Sequence, residues 1–139
     1  MRILGLDVGT KTIGVAISDP LGWTAQGLET IQRKGMAKDV EALLTIIHAK
    51  EVEKIVIGLP LHMQGGESAS AARARELGQK LSEESGLEII YQDERLSTVS
   101  AQRILLEGDV SRAGRKAVID KVAAGFILQS YLDAVANKN

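Results

Sequence analysis

Residues 2–18 read RILGLDVGTKTIGVAIS, and the spacing of apolar residues in this stretch decides the fold. Residues 2–7 are a continuous apolar run closed by an acid, Asp7, the pattern of a strand buried on both faces. Residues 12–18 alternate instead, with Ile13, Val15 and Ile17 on one face and Thr12, Gly14, Ala16 and Ser18 on the other. The short break between them, with Gly9 and Lys11, predicts an antiparallel hairpin.

Outward from the hairpin, the Pro20–Gly22 turn leads to a third strand predicted over 27–33. The period then changes. Val40, Leu43, Leu44 and Ile47 fall at helical spacing and predict a helix over 37–50. Residues 54–59 (KIVIGL) form a β-rich run that Pro60 ends. A helix is predicted over 68–85, with Ser68 as N-cap and Gly86 as its stop. Residues 87–92 (LEIIYQ) make a fifth strand. A helix near 98–107 ends at Gly108, the loop containing SRAGRK follows, and a long helix runs over 115–136. Three strands joined by tight turns, then βαβ alternation, imply an α/β fold: a mixed five-stranded sheet with helices on its faces.

The 139 residues suffice for a single domain, 1–139, with a core of its own. Hydrophobic residues at 45% and charged residues at 25% exclude a disordered chain. With no cysteine, a disulfide scaffold and a thiolate metal site are excluded. No run is long enough to span a membrane, and Asp7 and Lys11 interrupt any leader-like stretch, so a cytoplasmic protein is expected. Seventeen basic against eighteen acidic residues leave a net charge of −1, so no global basic field announces a nucleic-acid partner. Trp23, Tyr91, Phe126 and Tyr131 are too few for a base-stacking platform. Any nucleic acid must be gripped through phosphates and shape.

Acids at the ends of buried elements carry the chemistry. Asp7 closes the first strand, Asp93 and Glu94 close the fifth, and Asp120 shares a helix face with Ala123, Ala124, Ile127 and Tyr131. A carboxylate buried there is costly unless paired or coordinated. Carboxylates with almost no histidine suit Mg²⁺ or Mn²⁺ rather than zinc. Two such ions can activate water and stabilise a leaving oxygen in phosphodiester cleavage. Taken singly, each acid is equally well read as a cap or an ion-pair partner. His48 fits a helix C-terminus, and His62 lies in the loop after Pro60; both are read as structural.

At these residues the chain resembles a known family. GLDVGTKTIGVAISD at 5–19, GLPLHMQGG at 58–66, DERLST at 93–98 and KAVIDKVAAGFILQSYL at 116–132 resemble the YqgF family, also called RuvX. Its members are described as RNase H-like Holliday junction resolvases and as nucleases maturing the 5′ end of small-subunit ribosomal RNA. The resemblance covers the whole chain and implies an RNase H-like sheet of order 3-2-1-4-5 with helices on both faces. It implies a metal-dependent endonuclease in which Asp7, Glu94 and Asp120 are both catalytic and metal-binding. In related resolvases the second acid comes from the fourth strand, where this chain has Gly58-Leu59-Pro60. Here it comes from the fifth, two strand spacings from the first, roughly 9.6 Å. Glu94 has the longer reach, over a strand end with no bulky side chain at Gly58, and Asp93 is the competing ligand.

Lys11, Arg95, Arg112, Arg115 and Lys116 are the candidate phosphate contacts, since each adjoins one of the acids. Gly65 and Gly66 mark a loop able to close over substrate. The expected partner is nucleic acid, precursor rRNA or branched DNA, and no membrane. A monomer suffices for end trimming, whereas junction resolution favours a homodimer. Two other classes stay open. D-x-G-T before a hairpin also resembles the phosphate turn of sugar kinases and actin-like ATPases, but those need two large lobes. A binding module that keeps the fold without the chemistry is the other.

Overall fold

A computed structural model describes residues 1–60, 68–94 and 115–137. In chain order the elements are β1 (Arg2–Val8), β2 (Thr12–Ser18), β3 (Ala25–Gln32), α1 (Met36–Lys50), β4 (Val52–Leu59), α2 (Ala69–Ser85), β5 (Glu88–Asp93) and α3 (Arg115–Asn137). They form one mixed sheet of order β3-β2-β1-β4-β5. β1 pairs antiparallel with β2, and β2 with β3; β1–β4 and β4–β5 are parallel. The expected α/β sheet, its strand order and its two helical layers are all observed. The helix expected near 98–107 and its loop lie outside the described residues.

Strand alternation sorts the core into two layers. Leu4, Leu6, Val8, Ile13, Val15, Ile17, Ile55, Ile57 and Leu59 face α1 and α2. Ile3, Ala16 and Val56 face α3, where Ala124, Ile127, Leu128 and Leu132 meet them. This second face is lined by glycine and alanine, so α3 lies close to the strands. A Cβ on Gly5 would come within 2.7 Å of Leu128 Cβ.

Local signals end the elements as their chemistry requires. The Ser68 hydroxyl accepts the Ala71 N–H at 3.1 Å, the N-cap bond of α2. Gly86 ends that helix in the left-handed conformation, φ 74°. β3 differs from its predicted span of 27–33. It begins at Ala25, which pairs with Ser18 and donates its N–H to the Gln129 side chain at 2.9 Å. It ends at Gln32, and the next residue, Arg33, pairs its side chain with Asp39.

Candidate active site

Asp7 stands next to last in β1, directly opposite Gly14 of β2. Residues paired across antiparallel strands project to the same side, so Asp7 shares the α3 face with Gly14 and with Gly5 two residues earlier. Asp120 is brought to the same place by what Gly14 lacks. A Cβ there would lie 2.0 Å from the Asp120 carbonyl oxygen and 2.4 Å from its carbonyl carbon, so only glycine admits the helix backbone. The Asp120 side chain is 9% exposed, and its Oδ2 accepts a hydrogen bond from the buried Thr12 hydroxyl. Thr12 is the first residue of β2, on the far side of the hairpin from Asp7.

Glu94 arrives from the other edge. It follows β5 directly and is 7% exposed. Its Oε1 lies 3.2 Å from the position a Cβ on Gly58 would take, so the carboxylate reaches over the bare end of β4. Alternation separates it from its neighbour. Gln92, paired with Gly58, bonds Ser130 of α3 at 3.3 Å, whereas Tyr91, paired with Ile57, reaches Arg75 of α2. Asp93 pairs with Leu59, whose side chain packs in the α1–α2 layer, and so projects to the face opposite Asp7 and Asp120. Of the two acids, Glu94 thus lies on the α3 face, over Gly58, and Asp93 on the opposite one.

Three acids from three distant segments thus share one face at one end of the sheet. Among the described residues no three acidic or histidine side chains stand close enough to hold a cation as they are. The donor chemistry at this end is nevertheless all oxygen, with carboxylates and the Thr12 hydroxyl, which fits a hard divalent ion and not zinc.

Lys11 is exposed at the tip of the β1–β2 hairpin, beside this end. Arg115 and Lys116 begin α3, one turn before Asp120; Arg95 and Arg112 lie outside the described residues, as do His62, Gly65 and Gly66. His48 occupies the last turn of α1, as read. The sequence reading missed a nearly buried ion pair at this end, Arg33 Nε to Asp39 Oδ2 at 2.9 Å. Asp39 precedes Leu43 by one turn on the apolar face of α1, and that placement of a lone acid was the available signal. Asp19, at the opposite end of β2, accepts the backbone N–H groups of Trp23 and Thr24 at 2.7 and 2.9 Å. Those bonds, Thr24's first, hold its carboxyl below the ordinary value against a smaller opposing effect of desolvation, the chemistry of a side-chain-capped turn.

Comparison with known proteins points the same way. The model of a family described as "RuvX: Holliday junction resolvase" matches residues 1–134. A protein of Moorella thermoacetica named "Putative pre-16S rRNA nuclease" is 56% identical over 133 residues, covering 96% of this chain and 95% of its own. A protein of Clostridium tetani with the same name is 53% identical over 138 residues, covering 99% of this chain and 100% of its own. Among solved structures, Thermus thermophilus RuvC in complex with a Holliday junction substrate matches with a TM-score of 0.62 at 15% identity. It covers 99% of this chain and 96% of that one. The fowlpox virus Holliday junction resolvase matches with a TM-score of 0.55 at 14% identity, covering 97% of this chain and 99% of that one. These last two are likenesses of fold, the RNase H-like sheet of resolvases.

Proposed function

The chain belongs to the RuvX family, and from that premise we propose that it is a metal-dependent endonuclease processing the 5′ end of precursor small-subunit ribosomal RNA. The observation that supports this most is the convergence of Asp7, Glu94 and Asp120 on one sheet face through the gaps at Gly14 and Gly58. Relatives above 50% identity across nearly their whole length carry the rRNA nuclease name, which favours that substrate.

Each residue has a part that follows from its position. Asp7, Glu94 and Asp120 would hold Mg²⁺ or Mn²⁺, which when bound supplies the Lewis acidity that activates water and stabilises the leaving oxygen. Asp7 ends a central strand that pairs with β2 up to Val8 and with β4 up to Leu6, so its backbone is anchored in the middle of the sheet. The Thr12 hydroxyl donates to Asp120 and so fixes the orientation of that carboxylate. Water is the nucleophile, and no side chain forms a covalent intermediate. Lys11, with Arg95, Arg112, Arg115 and Lys116, would bind substrate phosphates around the acids. The location is the cytoplasm, where precursor rRNA is made.

The family description supports a second reading, resolution of branched DNA. The test runs a precursor 5′ segment and a four-way DNA junction side by side, with Mg²⁺, Mn²⁺ or chelator. RNA cut only with metal is the expected result. Symmetric nicking of the junction alone, by a dimer, would replace the rRNA role with resolution. Metal-independent binding without scission of either would leave a non-catalytic module.

A further inference from the structure

The hairpin tip that carries Lys11 is held from outside by one residue. Arg33 Nη1 donates to the Gly9 carbonyl at 3.0 Å, and the Arg33 backbone N–H donates to the Lys11 carbonyl at 2.8 Å. Arg33 is itself fixed by Asp39, whose Oδ2 accepts from Nε at 2.9 Å while Oδ1 accepts the Lys34 N–H at 2.9 Å. The Arg33 and Asp39 side chains are 12% and 1% exposed. The side chain of a nearly buried ion pair at the β3–α1 junction therefore holds the Gly9 carbonyl, the Arg33 backbone holds the Lys11 carbonyl, and Gly9 N–H to the Thr12 carbonyl closes the tip at 2.9 Å.

We propose that Arg33, held by Asp39, is a positioning residue that locks the Gly9–Lys11 tip and so presents Lys11 to a substrate phosphate. The inference rests on the reading of Lys11 as a phosphate contact. Arg33 is poorly placed to meet nucleic acid itself. Its charge is neutralised by Asp39, two of its donors are engaged within the protein, and little of it reaches solvent. Lys11 has the opposite character, an exposed ammonium on a long flexible stem. Fixing the backbone beneath that stem reduces the freedom lost when it settles on a phosphate. The same bonds hold the short segment of chain between Asp7 and Thr12.

The test is a double-mutant cycle on binding of a labelled precursor rRNA 5′ segment, with chelator present so that nothing is cut. Arg33→Lys keeps a positive charge opposite Asp39 but lacks the planar fork that also reaches Gly9. Lys11→Ala should weaken binding roughly tenfold, the order expected of one charge-assisted contact. It should also flatten the salt dependence by about 0.7–0.9 in log–log slope, one phosphate's worth. Arg33→Lys should weaken binding in the same direction, and adding it to Lys11→Ala should cost nothing more. Asp39→Asn, which frees Arg33 without removing it, should reproduce that pattern if Arg33→Lys fails to fold. Additive losses, or unchanged binding when Arg33 or Asp39 is replaced, would overturn the positioning role while leaving Lys11 as a contact. Unchanged binding in Lys11→Ala would overturn both the contact and the lock, with the cleavage reading judged separately by the metal-dependent assay.

Discussion

Gly14 and Asp120 meet backbone to backbone: the Cβ that Gly14 lacks would stand 2.0 Å from the Asp120 carbonyl oxygen. Such a neighbour cannot swing aside as a side-chain tip can, so in Gly14→Ala the whole of α3 must lift from β2. We predict a stability loss of about 1–3 kcal/mol, the range for overpacking. Cleavage should fall by about 10²-fold, as for a displacement near 1 Å at a reacting centre. Thermal melting and single-turnover cleavage on the same preparation check both.

Gly58 makes a subtler test. An added Cβ would lie 2.5 Å from Ile127 Cδ1, a side-chain end with some room to turn, and 3.2 Å from Glu94 Oε1. Gly58→Ala should therefore cost less stability than Gly14→Ala, yet still displace the Glu94 carboxylate. The expected result is a fall in kcat with KM little changed, since the phosphate contacts are untouched.

Thr12 separates shape from hydrogen bonding. Thr12→Val keeps the volume but removes the donor to Asp120. Leaving that carboxylate one bond short should cost about 1.5–3 kcal/mol, the range for hydrogen bonds to charged groups. Thr12→Ser, which keeps the hydroxyl, should restore most of the stability and the cleavage rate. Denaturant unfolding of both variants reads the difference.

The alternation of Ile13, Val15 and Ile17 and the unbroken run of residues 2–7 were enough to place β1 and β2, because burial is what sets strand periodicity. Ser68 and Gly86 marked the ends of α2 because capping is local chemistry. The bare Gly58 and the longer reach of Glu94 favoured Glu94 over Asp93, but which face β5 turns to α3 depends on register, and a sequence does not set that by itself. The glycine gaps at 14 and 58 were visible as residues, but what fills them comes from α3 and Glu94, far away in the chain. Arg33 and Asp39 escaped for a related reason. A charged pair six residues apart across a turn looks like solvated surface until the hairpin tip is brought against it.

Asp19 gives a pH prediction with a definite sign. Its folded carboxyl titrates below its ordinary value because Thr24 and Trp23 donate to it. A depressed folded pKa contributes stability above the unfolded value, about 3.9, that is lost as pH falls through the lower folded value. Trp23, the chain's only tryptophan, sits on that turn and reports the change. Its fluorescence should step on acidification below about pH 3.9 in the wild type. The step should be absent in Asp19→Ala.

The central claim is that Asp7, Glu94 and Asp120 act together and Asp93 does not. The most direct measurement is metal-dependent cleavage of the precursor rRNA 5′ segment by Asp7→Asn, Glu94→Gln, Asp120→Asn and Asp93→Asn, each confirmed folded by its melting curve. The first three should lose cleavage while keeping most of their RNA binding, and Asp93→Asn should keep the larger part of wild-type turnover. Wild-type turnover in Asp7→Asn, or loss in Asp93→Asn beside an active Glu94→Gln, would contradict it.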